Sequence, residues 1–243
     1  MRYREIAPSP AFAQSIECFW TTVPEPGETA HRVTPDGCAD VVLSSDGLIL
    51  VGAMTEFQDV ASSGVTTGVR FRPAMWTSQF RIRADRITDR VVALEDVWGS
   101  RARALAARLD PAASLEHAAR TFESILQPTA ASNPFQRAVE WMQSRHGCLA
   151  MDELARRTGL SVRQLRRVSL EQTGLTPKFL ARVLRFRHAA ARIEPGAGAD
   201  LALECGYYDQ AHFINEFREF SGRTPSMIDA MADFSNRRRR AVA

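Results

Sequence analysis

The chain has 243 residues, 45% hydrophobic and 24% charged, with a formal net charge of +3; this is the composition of an ordinary globular protein with room for two domains. It contains no run of 18 apolar residues and does not open with a basic stretch followed by an apolar core, so a soluble, cytoplasmic protein with no membrane contact is expected. Cys18, Cys38, Cys148 and Cys205 lack the close spacing of zinc ligands and read as reduced thiols. The sequence has no G-x-S-x-G, no phosphate-cradling glycine loop and no metal-spaced histidine pair, so neither an enzyme nor a cofactor is indicated.

Residues 1–75 read as β structure. The aromatic, β-branched run 16–23 ends at Pro24-Glu25-Pro26-Gly27, and a strand at 39–43 follows the turn Pro35-Asp36-Gly37. Asp46-Gly47 marks a hairpin leading into a strand at 48–51, and 65–71 is a further strand closed by Pro73. Short strands at this spacing predict a small barrel or sandwich. From Trp76 the pattern turns helical, with a short helix at 75–80 and longer ones at 94–109 and 115–126, broken at Asp110-Pro111. Residues 128–134, small, polar and bracketed by prolines, form the expected linker between a domain at 1–127 and another at 135–233; a basic tail occupies 234–243.

The second domain contains one construction twice. Leu154-Ala155, Gly159, Ser161, Leu165 and Gly174-Leu175-Thr176-Pro177 recur as Leu201-Ala202, Gly206, Asp209, Phe213 and Gly222-Arg223-Thr224-Pro225, offset by 47 residues at the front and 48 at the back. Each copy spells a helix, a glycine turn, a capping Ser or Asp, a second helix, and a glycine stop before Thr-Pro. Helix 135–145 precedes the first copy, a long helix at 177–193 separates the two, and Pro195-Gly196-Ala197-Gly198 turns the chain into the second. The fold class is therefore α+β: a β-rich domain followed by helices, then an all-α domain of two helix-turn-helix units joined by a long helix. Charge divides along the same line. Residues 1–133 carry 13 Arg against 16 acidic residues, whereas 134–243 carry 18 basic against 12 acidic. Within 134–193 the count is 12 basic to 4 acidic, within 194–233 it is 2 to 8, and Arg237 to Arg240 close the chain. A polyanion partner is expected at the first copy.

The doubled unit, with its G-L-T-P and G-Y-Y-D-Q-A-H-F-x-x-x-F-R-x-F-x-G-R-T-P, resembles the AraC/XylS family of transcription regulators over residues 134–233. His31 to Asp40, Val51 to Thr55 and Gly68 to Pro73 resemble a domain often found ahead of this module, with no defined ligand. The resemblance implies sequence-specific binding of double-stranded DNA, with the second helix of each unit in the major groove. On that basis Arg163, Gln164, Arg166 and Arg167 are the candidate readers in copy one, and Gln210, His212 and Asn215 in copy two. Asn215 and Ala211 stand at the repeat positions of Arg167 and Arg163, so copy one is expected to dominate binding. Ser169 departs from the usual apolar residue, matched by Phe217 in copy two, and either bonds back to its own helix or loosens the unit.

The family further implies effector control, RNA polymerase and a second copy as candidate partners, and activation as a role, although the sequence does not give the sign of regulation. Trp20, Asp36, Cys38, Arg70, Phe71 and Arg72 are the candidates for lining a pocket for a small, anionic effector. Two alternatives stay open: Cys38 as a redox or alkylation sensor, and an N-terminal domain that only dimerises. Metal binding around His31, Asp36, Cys38 and Asp40 has too few soft ligands to be favoured. The proline-bounded linker suggests flexible coupling, through domain orientation or dimer spacing rather than a rigid lever.

Overall fold

Period-two alternation shapes the N-terminal half of the protein. A computed structural model describes residues 1–45, 47–62, 64–193 and 199–227. Its strands are β1 (Arg2–Ile6), β2 (Ile16–Val23), β3 (Ala30–Val33), β4 (Ala39–Ser44), β5 (Gly47–Val51), β6 (Gln58–Ala61), β7 (Thr66–Phe71) and, after helix α1 (Thr77–Phe80), β8 (Val91–Ala93). Six of them form one antiparallel sheet in the order β1-β2-β7-β4-β5-β8, while β3 and β6 pair separately. On one face of the large sheet Phe19, Val41, Leu43, Leu50, Val69 and Phe71 are buried in a core with Trp76, Phe80 and the helices α2 (Leu94–Trp98), α3 (Ser100–Ala106) and α4 (Leu115–Ile125). A register shift between Ile16 and Cys18 lets Ile16 and Phe19 share that face. The other face carries Trp20, Asp40, Val42, Ile49, Val51 and Arg70, which line a cleft together with the β3–β6 pair.

The sequence pattern locates the larger strands but misses β1, β3, β6 and β8, which are short, polar or exposed. The predicted helix 94–109 is two helices, because Gly99 at φ +56° interrupts it. Asp46, residues 195–198 and the tail with Arg237 to Arg240 lie outside the described residues.

The C-terminal half consists of α5 (Pro134–Ser144), α6 (Met151–Thr158), α7 (Val162–Thr173), α8 (Pro177–Ala190), α9 (Ala199–Glu204) and α10 (Gln210–Ser221). Pro134 belongs to α5, whose start is held by a reciprocal capping box between Asn133 and Gln136. Helix α8 serves both copies. Leu180, Ala181 and Leu184 pack with α5, α6 and α7, whereas Val183, Phe186 and Ala190 pack with Phe213, Phe217 and Phe220 of α10. Glu216, buried in α10, accepts from Arg182 Nε at 2.7 Å and pairs with Arg185 at 3.2 Å, fixing α8 to copy two. Ser169 is fully buried, and its hydroxyl donates to the Leu175 carbonyl at 2.6 Å, beyond its own helix. Copy one is therefore closed by a hydrogen bond where copy two is closed by Phe217.

The two halves are packed against each other, contrary to the flexible coupling that the proline-bounded linker suggests. Gln136 Nε2 donates to the Ala74 carbonyl at 3.0 Å, and Ala53 and Ala74 belong to the core cluster of copy one. Both α7 and α10 end at a glycine in the left-handed region, Gly174 at φ +78° and Gly222 at φ +69°, and both glycines abut the N-terminal domain. The Thr88 hydroxyl donates to the Gly174 carbonyl at 3.0 Å, and Arg32 Nη1 to the Ser221 carbonyl at 3.2 Å. A Cβ on Gly174 would meet the Thr88 hydroxyl, and one on Gly222 would lie 2.7 Å from the Phe57 ring. Gly174→Ala and Gly222→Ala are each expected to lose at least the ~1–2 kcal/mol of left-handed strain, with further loss from these collisions. Urea unfolding of the two variants checks this.

Candidate nucleic-acid interface and ligand cleft

Helices α7 and α10 have their C-terminal ends against the N-terminal domain and their N-terminal ends in solvent. Each start is built by a capping residue: the Ser161 hydroxyl accepts from Gln164 N, and the Asp209 carboxylate accepts from His212 N at 2.7 Å. Arg163, Arg166 and Arg167 are exposed along α7, as are Gln210 and Asn215 on α10. Arg167 pairs with Glu171 one turn on, at 3.1 Å. An exposed pair at this spacing is worth only about 0.3–0.5 kcal/mol, so it is no barrier to a stronger partner.

Two of the sequence-derived readers have local work. The Gln164 side-chain oxygen accepts from Ser161 N at 3.0 Å and from the Ser161 hydroxyl at 2.8 Å, completing a capping box. His212, its repeat equivalent, is half-buried against Tyr207, and its Nδ1 accepts from Tyr208 N at 3.3 Å. Both side chains shape the start of their helix, while Gln164 stays exposed and His212 half-exposed. In contrast, Val162 and Tyr208, which sequence reasoning passed over, are 71% and 87% exposed at the two helix starts. Their signal was an apolar residue at a position where the pattern assigns no core contact.

The cleft of about 380 Å³ lies between the large sheet and the β3–β6 pair. His31, Val33, Gln58 and Val60 face it from the pair. Arg32 and Asp59, opposite each other in register, point outward and form a two-pronged ion pair with both contacts at 2.7 Å. The Arg32 guanidinium lies 4.2 Å from the centre of the Phe57 ring and reaches Ser221 at the end of α10. At the polar end of the cleft, Arg70 Nε sits 3.1 Å from Asp36 and 3.2 Å from Asp40, and Trp20 Nε1 donates to Asp40 at 2.6 Å. Gly68 makes room for that indole, since a Cβ there would come within 2.6 Å of it. Burial lifts the Asp40 carboxyl to about 6 despite the pull of Arg70.

Of the effector candidates, Trp20, Asp36, Cys38 and Arg70 line the cleft. Phe71 and Arg72 do not. Alternation turns Phe71 into the core on the opposite face, and Arg72 Nε donates to the Ala13 carbonyl at 3.0 Å. Cys38 is buried, and burial, reinforced by Asp36 and Glu17, pushes its thiol well above the ordinary range. A thiol held protonated lacks the thiolate that a redox or alkylation sensor needs.

The turn carrying Asp36 touches the second domain directly. Arg187 of α8 donates to the Asp36 carbonyl at 3.1 Å and forms a close ion pair with Glu17 of β2. Gly37 lies against Leu180 and Val183 of the same helix.

Residues 154–230 match a helix-turn-helix domain family, and residues 4–93 match a domain of unknown function (DUF6597). This is an AraC-type helix-turn-helix domain. A chain carrying it is a DNA-binding transcription regulator. No curated protein sequence matches the chain. Among solved structures, the DNA-binding domain of AdpA, a global transcriptional factor in complex with a target DNA, matches at 22% identity, covering 39% of this chain and 88% of that one, with a TM-score of 0.36. ToxT from Vibrio cholerae matches at 12% identity, covering 86% of this chain and 95% of that one, with a TM-score of 0.46. Among the described residues, no helix is long and apolar enough to cross a membrane.

Burial opposes the charge of Glu17, but Arg187 outweighs it and holds the carboxyl at about 2, below its ordinary 4.5. A depressed carboxyl stabilises the fold above pH 4.5, and the contribution drains away as pH falls towards 2. Glu17→Gln should therefore cost about 3 kcal/mol at pH 7, with the gap to the parent narrowing between pH 4.5 and 3. Urea titrations across that range measure it.

Proposed function

We propose that the protein is a sequence-specific regulator that grips double-stranded DNA chiefly through copy one and is controlled by a small molecule in the N-terminal cleft. The observation that carries the first part is the orientation of α7 and α10, with capped, exposed starts and C-terminal ends held by the other domain. Two such helix starts suit successive major-groove segments. On α7, Arg163 and Arg167 can pair with guanine edges and Arg166 with phosphate, while the exposed Val162 suits a thymine methyl group. On α10, Gln210 and Asn215 suit adenine, and Tyr208 stands ready for a backbone or base contact.

The second part rests on what surrounds the cleft. Its β3–β6 wall reaches the end of α10 through Arg32, and its polar end reaches α8 through the Asp36 turn and Arg187. A ligand that shifts either wall changes the seat of a reading helix. It need only bind the two seatings with different affinity to shift their populations.

The division of labour between copies is tested by gel shift on an operator selected from a random pool. Arg163→Ala and Arg167→Ala should each lose about 1–3 kcal/mol of specific binding, and Asn215→Ala less. A larger loss at Asn215 would reverse the assignment. A second expectation concerns coupling: Arg32→Ala should bind the operator as the parent does but respond less to any ligand of the cleft, measured by ligand-dependent gel shift.

A further inference from the structure

The cleft falls in the size range of small-molecule sites, about 300–1,000 Å³, and most of its wall is apolar, including Val33, Val42, Ile49, Val51, Met54 and Val60. Its polar end has an unusual charge balance. Asp36 and Asp40 share Arg70, and behind them Glu17 pairs with Arg187, so three carboxylates face two guanidiniums. Among the described residues the other charged groups leave that surplus in place, since Arg72, which acts on Glu17, is offset by Glu5, which acts on Tyr3 and Cys18. Burial lowers the His31 pKa and the ring bonds Ser62 at 3.3 Å, while burial keeps Cys38 and Tyr3 protonated. At the rim, the Met1 ammonium is engaged by Glu28 at 2.6 Å.

A surplus carboxylate away from water must find a proton or a cation. Burial first, and Asp36 beside it, raise the Asp40 carboxyl against the pull of Arg70, so its charge is held at a cost that a cation would relieve. An anion entering this end would have to draw Arg70 away from both carboxylates, and burial together with those partners makes that pairing hard to break. A cation meets the surplus directly. Beside it stand the stacked rings of Tyr3 and Trp20, their centres 6.5 Å apart, and such faces attract positive charge.

Building on the reading of the cleft as an effector site, we infer that its ligand is a compact, largely apolar molecule bearing one cationic group, an amine or amidine, seated against Asp36 and Asp40. This reverses the anionic effector expected from the arginines in the sequence.

The test uses the full chain and two matched sets of probes: tryptamine, tryptophol and indole-3-propionate, and 1-adamantanemethylamine, 1-adamantanemethanol and 1-adamantanecarboxylate. Calorimetric titration and thermal shift are expected to show the amine of each set binding at least ten times more tightly than its alcohol and carboxylate. Asp40→Asn should abolish that preference, Asp36→Asn asks the same question if the first variant does not fold, and Met54→Trp, which fills the cleft, should abolish amine binding. A preference for the carboxylates, or none among the three charges, overturns the ligand class while leaving the effector cleft standing. Binding by none of the six at millimolar concentration overturns both, and amine binding that survives Met54→Trp moves the site elsewhere and overturns the assignment.

Discussion

A guanidinium largely withdrawn from water has to meet an anion, and for Arg187 that anion belongs to the other domain. The helix bearing Arg187 is the one shared by both helix-turn-helix copies, with one stripe packed into copy one and another into copy two. Its position is therefore set by Glu17 and the Asp36 carbonyl as much as by its own domain. Removing either partner would leave a charge in low dielectric, which is far more costly than losing a surface ion pair. The relation between the domains is a packed contact with defined chemistry. The proline-bounded segment merely covers the distance between them.

The two copies show how a duplicated unit keeps its backbone while changing its side chains. Thr173 and Ser221 occupy equivalent positions, and each donates its hydroxyl to the carbonyl four residues back and to the one two residues on. Ser161 and Asp209 cap equivalent helices, and Gln164 and His212 complete those caps with different chemistry. What has diverged is the filling and the surface. Copy one pairs a buried Ser169 with an arginine-covered helix, and copy two pairs an aromatic cluster with the short neutral Ala211 and Asn215 on its exposed face.

Much of this was legible in the sequence because the repeat carried its own punctuation: Gly174 and Gly222 announce helix ends, and Ser161 and Asp209 announce starts. The apolar residue that the repeat sets at Phe217, opposite Ser169, lies in the core of copy two with Phe213 and Phe220. Three kinds of information were not legible. Side chains that fold back onto their own cap, as Gln164 does, look in sequence like side chains that project. Parity along a strand cannot be assigned until the register is known, so Phe71 and Arg72 were credited to the cleft while the bulge in β2 and the short strands went unseen. Contacts between residues 150 or more apart, such as Glu17 with Arg187, leave no local trace at all.

The narrow β3–β6 pair illustrates how an exposed element can be intolerant of change. Inward residues serve the cleft and the residue between them serves α10, on strands only four residues long. Inserting or deleting one residue would turn Arg32 inward, turn His31 and Val33 out to solvent, and break the contact with Ser221 in the same step. Substitutions here can be tuned one face at a time, but changes of length cannot. Among related chains this segment should therefore vary freely in composition and hardly at all in length, the opposite of what an exposed edge normally permits.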